Sequence, residues 1–313
     1  RGARPSDRHG DTRMTTETKA TDAALGQNRK LGIISAVLVI FIWSGFVVFS
    51  RSGVQSNLTA FDLAALRFIV AGALTVPFAV AWWPKHLPLR GVLAVTFFGP
   101  GTFYALLMYF GMTEASAAYA AVFANGSLPF FSIVLVFLLT SSLPTKAQVV
   151  GLGCIMLGAV TVGASGITGQ EASPLRGIVM FLTASAFLSI YIFALSHWKI
   201  QPKQALAVVN IPNALIFLPI WYFALPSTLG DAQLSQILFQ AAFQGLGPGF
   251  LAVILFSLAS IHLGPTLTSG FSAAVPATAA LLAIPVLGEV PSVASWIGIG
   301  GVCLGLAIVA LRR

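Results

Sequence analysis

Long apolar stretches occupy most of the chain, and each is long enough to cross a lipid bilayer as a helix. A membrane-spanning helix needs about 20 consecutive, mainly apolar residues. Ten stretches meet this requirement: 31–53, 60–82, 90–111, 115–139, 145–163, 175–196, 204–224, 234–260, 264–287 and 292–311. Of the 313 residues, 57% are apolar and 8% are charged, and no segment of soluble-domain size remains between the stretches. The sequence therefore predicts an all-α polytopic membrane protein with ten transmembrane helices.

Basic residues are distributed unevenly between the two sides of the predicted bundle. If the N-terminus is cytoplasmic, the loops on the opposite side contain only Arg51 and Arg176. The cytoplasmic loops and the C-terminus then contain Lys85, Arg90, Lys146, Lys199, Lys203, Arg312 and Arg313. The positive-inside rule therefore predicts that both termini of this multi-pass protein are cytoplasmic. We also expect the protein to lie in the bacterial inner membrane. The net charge of +8 reflects this asymmetry and a basic tail, so no nucleic-acid partner is expected.

The N-terminal tail differs in composition from the rest of the chain. Residues 1–30 are polar and poor in large apolar side chains, so we predict a disordered cytoplasmic tail. Residues 1–13, which precede Met14, are expected to be vector-derived or translated from upstream sequence. The first apolar stretch has full span length and no evident cleavage site after it, so no signal peptide is predicted.

The two halves of the chain resemble each other when one is shifted by 147 residues. This shift places Gly on Gly or Pro on Pro at five positions, namely Pro129 on Pro276, Pro144 on Pro291, Gly151 on Gly298, Gly153 on Gly300 and Gly158 on Gly305. The predicted domains are two five-helix repeats, 31–163 and 175–313, joined by a loop at 164–174. An odd number of helices reverses the direction of the second copy, so the two repeats are predicted to be inverted.

The tripeptide Gly-Pro-Gly interrupts two of the predicted helices. It occurs at Gly99-Pro100-Gly101 and again at Gly247-Pro248-Gly249. Gly and Pro are less favourable than Ala in a helix interior by about 1 and 3 kcal/mol. Broken helices at membrane depth are tolerated where protein or a water-filled cavity satisfies the freed backbone groups, and matched breaks in two repeats point to a transporter's binding site.

We therefore predict that the two tripeptides, together with the matched pair Pro129 and Pro276, are helix breaks or gating elements beside a central cavity. The alternative is that they only allow helices to pack closely. Small residues four positions apart, at Cys154/Gly158 and Gly301/Gly305, separately predict that helices five and ten approach closely as a static scaffold.

Two segments resemble a known family of transporters. These are "LAALRF", which opens the second helix, and "LGEVPSVASWIGIGGVCLGLAIV", which runs from Leu287 to Val309. They resemble the EamA-type repeat of the drug/metabolite transporter superfamily, and the chain is most similar to the YddG-type aromatic amino acid exporters. The resemblance implies ten helices in a five-plus-five inverted arrangement with both ends cytoplasmic.

The resemblance also assigns two structural charges. The family's helix-two arginine falls on Arg67, and its glutamate before the last helix falls on Glu289. Arg67 is expected to bind backbone carbonyls or Glu289; a role in holding a substrate carboxylate is the alternative. The position that matches Glu289 in the first half is Ser142, so a gating role that needs a carboxylate in both halves is not expected.

Polar and aromatic residues inside the predicted spans are candidates for a substrate cavity. They are Trp43, Tyr104, Asn125, Ser185, Ser189, Asn213 and Ser272. A cavity lined in this way is expected to be mostly apolar and without net charge, which suits a zwitterion with a large apolar side chain. The substrate carboxylate is expected at the exposed N–H groups of a broken helix. Hydrogen bonding between helices is the alternative role for each polar residue.

These features together predict an inner-membrane exporter or facilitator of aromatic amino acids and similar small metabolites that works by alternating access. The alternatives are a permease of the same fold for another metabolite, a drug or a nucleotide sugar, and a proton-coupled exporter. No carboxylate or histidine is expected at mid-span, and no catalytic or Walker A motif occurs, so neither an enzyme nor an ATP-driven pump is predicted. We expect no cofactor, no metal and no disulfide; the partners are a small-molecule substrate and the lipid bilayer, and the oligomeric state stays open.

Overall fold

A computed structural model describes residues 9–166, 174–263, 268 and 271–311, and the regular elements among them are all helical. The α-helices are α1 (His9–Gln55), α2 (Ala60–Thr75), α3 (Ala79–Trp82), α4 (Leu89–Phe98), α5 (Thr102–Glu114), α6 (Ala117–Ala120), α7 (Leu128–Thr140), α8 (Lys146–Gly166), α9 (Pro174–His197), α10 (Pro202–Ala224), α11 (Leu234–Leu246), α12 (Ala252–Leu263), α13 (Val275–Leu287) and α14 (Val293–Leu311). Two short 3₁₀-helices (Val76–Phe78 and Leu229–Asp231) and two π-helices (Ala121–Gly126 and Gly247–Leu251) complete the set.

Within the described residues, nine helical stretches are long and apolar enough to cross a membrane. They agree with nine of the ten predicted spans. The tenth candidate, 264–287, is described as the shorter apolar helix Val275–Leu287, and residues 264–267 and 269–270 lie outside the described part. Helix α1 begins at His9, within the tail for which the sequence predicts disorder, although its apolar portion begins only at Arg29. The nine described stretches indicate a multi-pass membrane protein.

The outer surface of the bundle is apolar, and small residues fill its interior. Leu157, Leu215 and Ile297 are each at least 68% exposed, as expected where lipid replaces water. Alanines such as Ala64 and Ala105 are fully buried at the helix contacts. Because lipid is as apolar as leucine, helices in a membrane associate through close packing and interhelical hydrogen bonds, which small residues permit.

Helices α8 and α14 approach each other closely, and their contact depends on four glycines. A Cβ atom added to Gly158 would lie 2.4 Å from the carbonyl oxygen of Gly298, and one added to Gly305 would lie 2.5 Å from that of Gly151. The two helices run antiparallel, since Gly151 near the start of α8 meets Gly305, and Gly158 further along α8 meets the earlier Gly298 of α14. The predicted close approach therefore occurs, but Gly301 contributes only an ordinary contact, with its Cβ position 3.5 Å from Gly158.

The first helix of each half packs against the opposite half. Helix α1 contacts α12 and α13, and α9 reciprocally contacts α5 and α7. Helices α2 and α10 contact each other, and α2 also packs on α11 while α10 packs on α4. This interlaced arrangement brings both Gly-Pro-Gly segments to the side chains of α2 and α10 in the middle of the bundle.

Candidate functional site

The first Gly-Pro-Gly tripeptide separates α4 from α5 completely. Gly99 and Gly101 have ψ angles of 179° and −155°, so the backbone here is extended rather than helical. A Cβ atom on Gly101 would lie 2.4 Å from Nδ2 of Asn213, and one on Gly99 would lie 2.3 Å from the carbonyl oxygen of Val95. Glycine is therefore needed for close approach, and proline between the two glycines adds no unsatisfied N–H.

Side chains from α2 and α10 bind the backbone groups that this break frees. The N–H of Thr102 donates to Oδ1 of Asn213 over 2.7 Å, and Nδ2 of Asn213 donates to the carbonyl of Thr96 over 3.2 Å. Nη2 of Arg67 donates to the carbonyl of Pro100 over 3.0 Å. A buried, unpaired backbone group costs about 1–3 kcal/mol, so these contacts make the break tolerable at membrane depth.

The second tripeptide deforms its helix without separating it. Residues Gly247–Leu251 form a π-helix that joins α11 to α12. Nδ2 of Asn210 donates to the carbonyl of Gly249 over 3.1 Å and to Oγ1 of Thr75 over 3.1 Å. The two breaks therefore lie at matching positions and are both capped by an asparagine of α10, but they differ in backbone conformation.

A third irregularity lies in the fourth predicted span. The π-helix Ala121–Gly126 separates α6 from α7, and Pro129 is the second residue of α7. Pro276 likewise is the second residue of α13. Both matched prolines thus stand in the first turn of a helix, where the missing N–H would have no intrahelical partner in any case.

A cavity of about 230 Å³ lies between the two halves, beside both Gly-Pro-Gly breaks. Its walls are mostly apolar and aromatic. The lining residues are Trp43, Phe46, Arg67, Pro100, Tyr104, Asn125, Leu128, Leu188, Tyr191, Ile192, Leu195, Ile200, Pro202, Ala205, Pro248, Ala252, Val253, Phe256 and Ser257. The indole of Trp43 stacks on the ring of Phe256, with centroids 5.4 Å apart.

The cavity contains some of the residues that the sequence singled out. Trp43, Tyr104 and Asn125 line it, and Pro100 and Pro248 stand at its edge. The expectation of a cavity without net charge is wrong, because Arg67 also lines it and a guanidinium stays protonated in proteins. Arg67 is 2% exposed and its Cζ lies 5.6 Å from the centre of the Phe46 ring.

The remaining candidates lie outside the cavity lining. Asn213 is buried and caps the first break, and Oγ of Ser189 donates to the carbonyls of Ser185 and Leu128 over 2.9 and 3.3 Å. Ser185 is fully buried within α9, and Ser272 is half-buried and helical, just ahead of the turn that precedes α13. For Asn213 and Ser189 the contacts match the alternative role of hydrogen bonding between helices.

An ion pair joins three parts of the chain at the end of the bundle where α1 and α5 finish. Nε of Arg51 lies 2.9 Å from Oε1 of Glu289, and Nη1 of Arg51 donates to the carbonyl of Met112. Oε2 of Glu289 accepts from the N–H of Ala117 over 2.9 Å, at the start of α6. Glu289 therefore pairs with Arg51 and not with Arg67, which the sequence offered as its partner. We call this cluster of Arg51, Met112, Ala117 and Glu289 the clamp.

Buried amides fill the space between the clamp and the breaks. Nε2 of Gln244 donates to Oγ of Ser50 over 2.9 Å and to Oε1 of Gln240 over 3.0 Å. The hydroxyl of Tyr109 donates to Oε1 of Gln244 over 3.2 Å, and Nε2 of Gln240 donates to the carbonyl of Phe49 over 2.8 Å. The bundle is thus tightly packed at this end. The cavity extends toward the opposite end, where Ile200 and Pro202 line it.

Comparisons with known proteins match this architecture over both halves of the chain. The model of the EamA-like transporter family matches residues 30–164 and again residues 175–311. The chain belongs to the EamA-like transporter family. Its two matches fall on the two predicted repeats, so the two-repeat architecture is confirmed, and the protein is a transporter of small molecules.

Two relatives of this EamA-like transporter extend over nearly its whole length. The uncharacterized transporter YwfM of Bacillus subtilis (strain 168) is 25% identical over 293 residues, which are 88% of this chain and 92% of YwfM. A solved crystal structure with 19% sequence identity covers 90% of this chain and 96% of its own, with a TM-score of 0.63. The second similarity shows the fold alone.

Sequence reasoning did not select several residues of the cavity and the clamp in this EamA-like transporter. Arg51 was assigned only to a loop, and Phe46, Tyr191 and Phe256 were not selected as aromatic lining. The spacing could have identified Phe46, because it follows Trp43 by three residues and therefore shares its helix face. The described residues contain no group of three or more His, Cys, Asp or Glu side chains that could hold a metal ion.

Proposed function

We propose that this EamA-like transporter moves aromatic amino acids and similar small metabolites across the bacterial inner membrane by alternating access. The observation that carries the proposal is the cavity beside two broken helices, with aromatic walls and few polar groups. Ligand sites of this kind are typically apolar pockets with a small number of well-placed polar groups. The rings of Trp43 and Phe46 offer flat faces on which an aromatic side chain can stack.

The packing of the bundle supports a single-sided cavity. The clamp and the amides of Gln240 and Gln244 occupy one end, and the cavity reaches toward the linker between α9 and α10 at the other. Lys199 lies in this linker and Lys203 follows it at the start of α10, so by the positive-inside rule we assign the linker to the cytoplasmic side. In this orientation the cavity faces inward and the clamp closes the outer side, with both termini cytoplasmic.

The antiparallel contact between α8 and α14 supports inverted repeats. Gly151 and Gly298 are equivalent under the 147-residue shift, as are Gly158 and Gly305. The pairs Gly151–Gly305 and Gly158–Gly298 therefore exchange with each other under a two-fold operation. The different conformations of the two breaks fit alternating access, in which one repeat adopts at a given moment the shape that the other adopts in the opposite state.

Counterflow in proteoliposomes tests the proposal. Vesicles loaded with unlabelled phenylalanine should accumulate labelled Phe, Trp and Tyr, with and without a pH gradient, and should not accumulate labelled glutamate. Ser257→Trp places an indole in the cavity and should abolish counterflow. Leu215→Trp is the matched control, because Leu215 lies on the lipid-facing surface and is 70% exposed. No accumulation by the unaltered protein would refute an aromatic substrate, and equal loss in both variants would refute transport through this cavity.

A further inference from the structure

Arg67 is a buried cation whose hydrogen-bonding capacity is mostly unused. It lies in α2 and lines the cavity, with 2% of its surface exposed. Its Nη2 atom donates to the carbonyl of Pro100, and the hydroxyl of Tyr109 lies close to the guanidinium. Nε and Nη1 are buried and have no hydrogen-bond partner of good geometry among the described residues. A guanidinium offers five N–H donors in a rigid fork that matches a carboxylate, and the three N–H groups on Nε and Nη1 are unpaired here.

The described part of the chain supplies no counter-charge for this guanidinium. The carboxylate of Asp62, in the same helix, accepts from Thr59, Trp221 and Thr228. The carboxylate of Glu289 is paired with Arg51. The ring of Phe46 gives Arg67 a partial contact but no charge. Because an unpaired charge inside a protein is unfavourable, the site as it stands favours the entry of an anionic group.

The cavity lining contains no charged partner for the ammonium group of a ligand. It contains no Asp, Glu or His, and the side-chain oxygens in it belong to Tyr104, Asn125, Tyr191 and Ser257. A small recess of about 10 Å³, room for about one water-sized atom, adjoins the cavity at Arg67, Pro100 and Pro248. One oxygen of a carboxylate fits this space beside Arg67, with the apolar body of the ligand toward Trp43 and Phe46. Because Nε and Nη1 have almost no accessible surface, the guanidinium must turn toward the recess to bind that oxygen.

We propose that Arg67 is the anion-binding residue of the transporter and that the ligand class is monoanionic carboxylates with an apolar, preferably aromatic, body. The α-amino group of an amino acid is then not required for recognition. This inference rests on the proposed function, since it concerns the same cavity. It differs in the group that is recognised, which is the carboxylate alone and not both charged groups of an amino acid.

A competition series in the unaltered protein tests the ligand class. Counterflow of labelled phenylalanine is measured against unlabelled 3-phenylpropionate, which lacks the amino group, and against phenethylamine, which lacks the carboxylate. We expect 3-phenylpropionate to compete within about threefold of phenylalanine, and phenethylamine to be at least about tenfold weaker, which corresponds to about 1.4 kcal/mol. Competition by phenethylamine equal to that of 3-phenylpropionate would overturn the proposal and leave the proposed function intact.

Substitutions of Arg67 test the residue. Arg67→Gln should abolish the preference for the carboxylate compounds, whereas Arg67→Lys should retain it with weaker binding. Arg176→Gln is the matched control, since it removes an exposed arginine at the start of α9. An unchanged preference in Arg67→Gln would assign the anion site elsewhere. If Arg67→Gln does not fold, the test is whether Arg67→Lys binds the carboxylate compounds more weakly than the unaltered protein does. Equal binding by the two proteins would overturn the assignment of Arg67.

Thermal unfolding of the purified protein in detergent separates this inference from the proposed function. The midpoint should rise with 3-phenylpropionate and not with phenethylamine, and the rise should be smaller in Arg67→Lys. If phenylalanine is not exchanged in vesicles but 3-phenylpropionate still stabilises the protein, the proposed amino acid substrate fails and the anion site stands. If neither 3-phenylpropionate nor phenylalanine stabilises the protein, the anion site is refuted.

Discussion

Arg51 and Glu289 are 238 positions apart in the chain, yet their side chains form an ion pair with Nε and Oε1 2.9 Å apart. The same two side chains also bind the backbone of Met112 and Ala117 on either side of the turn between α5 and α6. One cluster therefore fastens the end of α1, the loop after α13 and the turn between two further spans. Opening the bundle at this end requires that these contacts separate.

Removing one charge of the clamp should favour the state that is open at this end. The two side chains are 14% and 21% exposed, so we expect a shift of about 1 kcal/mol, or roughly fivefold in the ratio of states, for Glu289→Gln or Arg51→Gln. The measurement is the rate of outside labelling of Ser50→Cys, a buried position near the clamp. The double variant should resemble each single one; strictly additive effects would show that the two side chains act independently.

Restoring an N–H at either Gly-Pro-Gly break should change the equilibrium between the two states. In Pro248→Ala the new N–H can continue the helix through Gly247–Leu251, whereas in Pro100→Ala it enters an extended segment. Because the proposed repeats are inverted, we expect the two variants to shift labelling of the cavity in opposite directions, with the double variant closer to the unaltered protein. Shifts in the same direction would indicate that both tripeptides serve packing only.

Asn213→Ala should destabilise the protein. The substitution leaves the N–H of Thr102 and the carbonyl of Thr96 without their partner at the first break. At about 1–3 kcal/mol for each buried unsatisfied group, the unfolding midpoint in detergent should fall by about 4 °C or more. Asn57→Ala is the control, because Asn57 is exposed in the turn between α1 and α2. A midpoint equal to that of the control would mean that water replaces the amide.

Gly158→Ala should be far more harmful than Gly153→Ala, although both residues lie in α8. The new Cβ at position 158 would lie 2.4 Å from a backbone oxygen of α14, whereas at position 153 nothing lies within 4 Å. In Gly153→Ala the higher helix propensity of Ala, about 1 kcal/mol, should leave the unfolding midpoint unchanged or raise it. A similar fall in both variants would contradict the close pairing of α8 and α14.

Labelling from outside intact cells tests the proposed orientation. Lys146→Cys, at the start of α8, should be protected from a membrane-impermeant thiol reagent until the cells are opened. Ser227→Cys, in the loop between α10 and α11, should react in intact cells. The reverse pattern would invert the orientation and turn the cavity toward the outside.

The sequence alone was sufficient for properties that depend on local composition. Apolar length predicts a spanning helix wherever it occurs, so nine of the ten predicted spans agree with the described helices to within a few residues. The recurrence of Gly and Pro at one shift predicts two repeats, because these residues limit backbone conformation at their own position. The shift also matches Gly151 with Gly298 and Gly158 with Gly305, the four glycines through which α8 and α14 meet.

Tertiary structure decided every relation that depends on which helix faces meet. Glu289 has two arginines as possible partners in sequence, and only the packing of α1 beside α13 brings Arg51 within reach. Arg67 reads as a structural charge in the sequence, and only the position of the cavity shows two of its nitrogens unpaired in an apolar wall. Identical Gly-Pro-Gly tripeptides adopt an extended break in one half and a π-helix in the other. At each site the proline lacks a backbone N–H, which interrupts the helical hydrogen bonds. The neighbouring side chains determine which backbone groups find a partner, and these are Arg67 and Asn213 at the first break and Asn210 at the second.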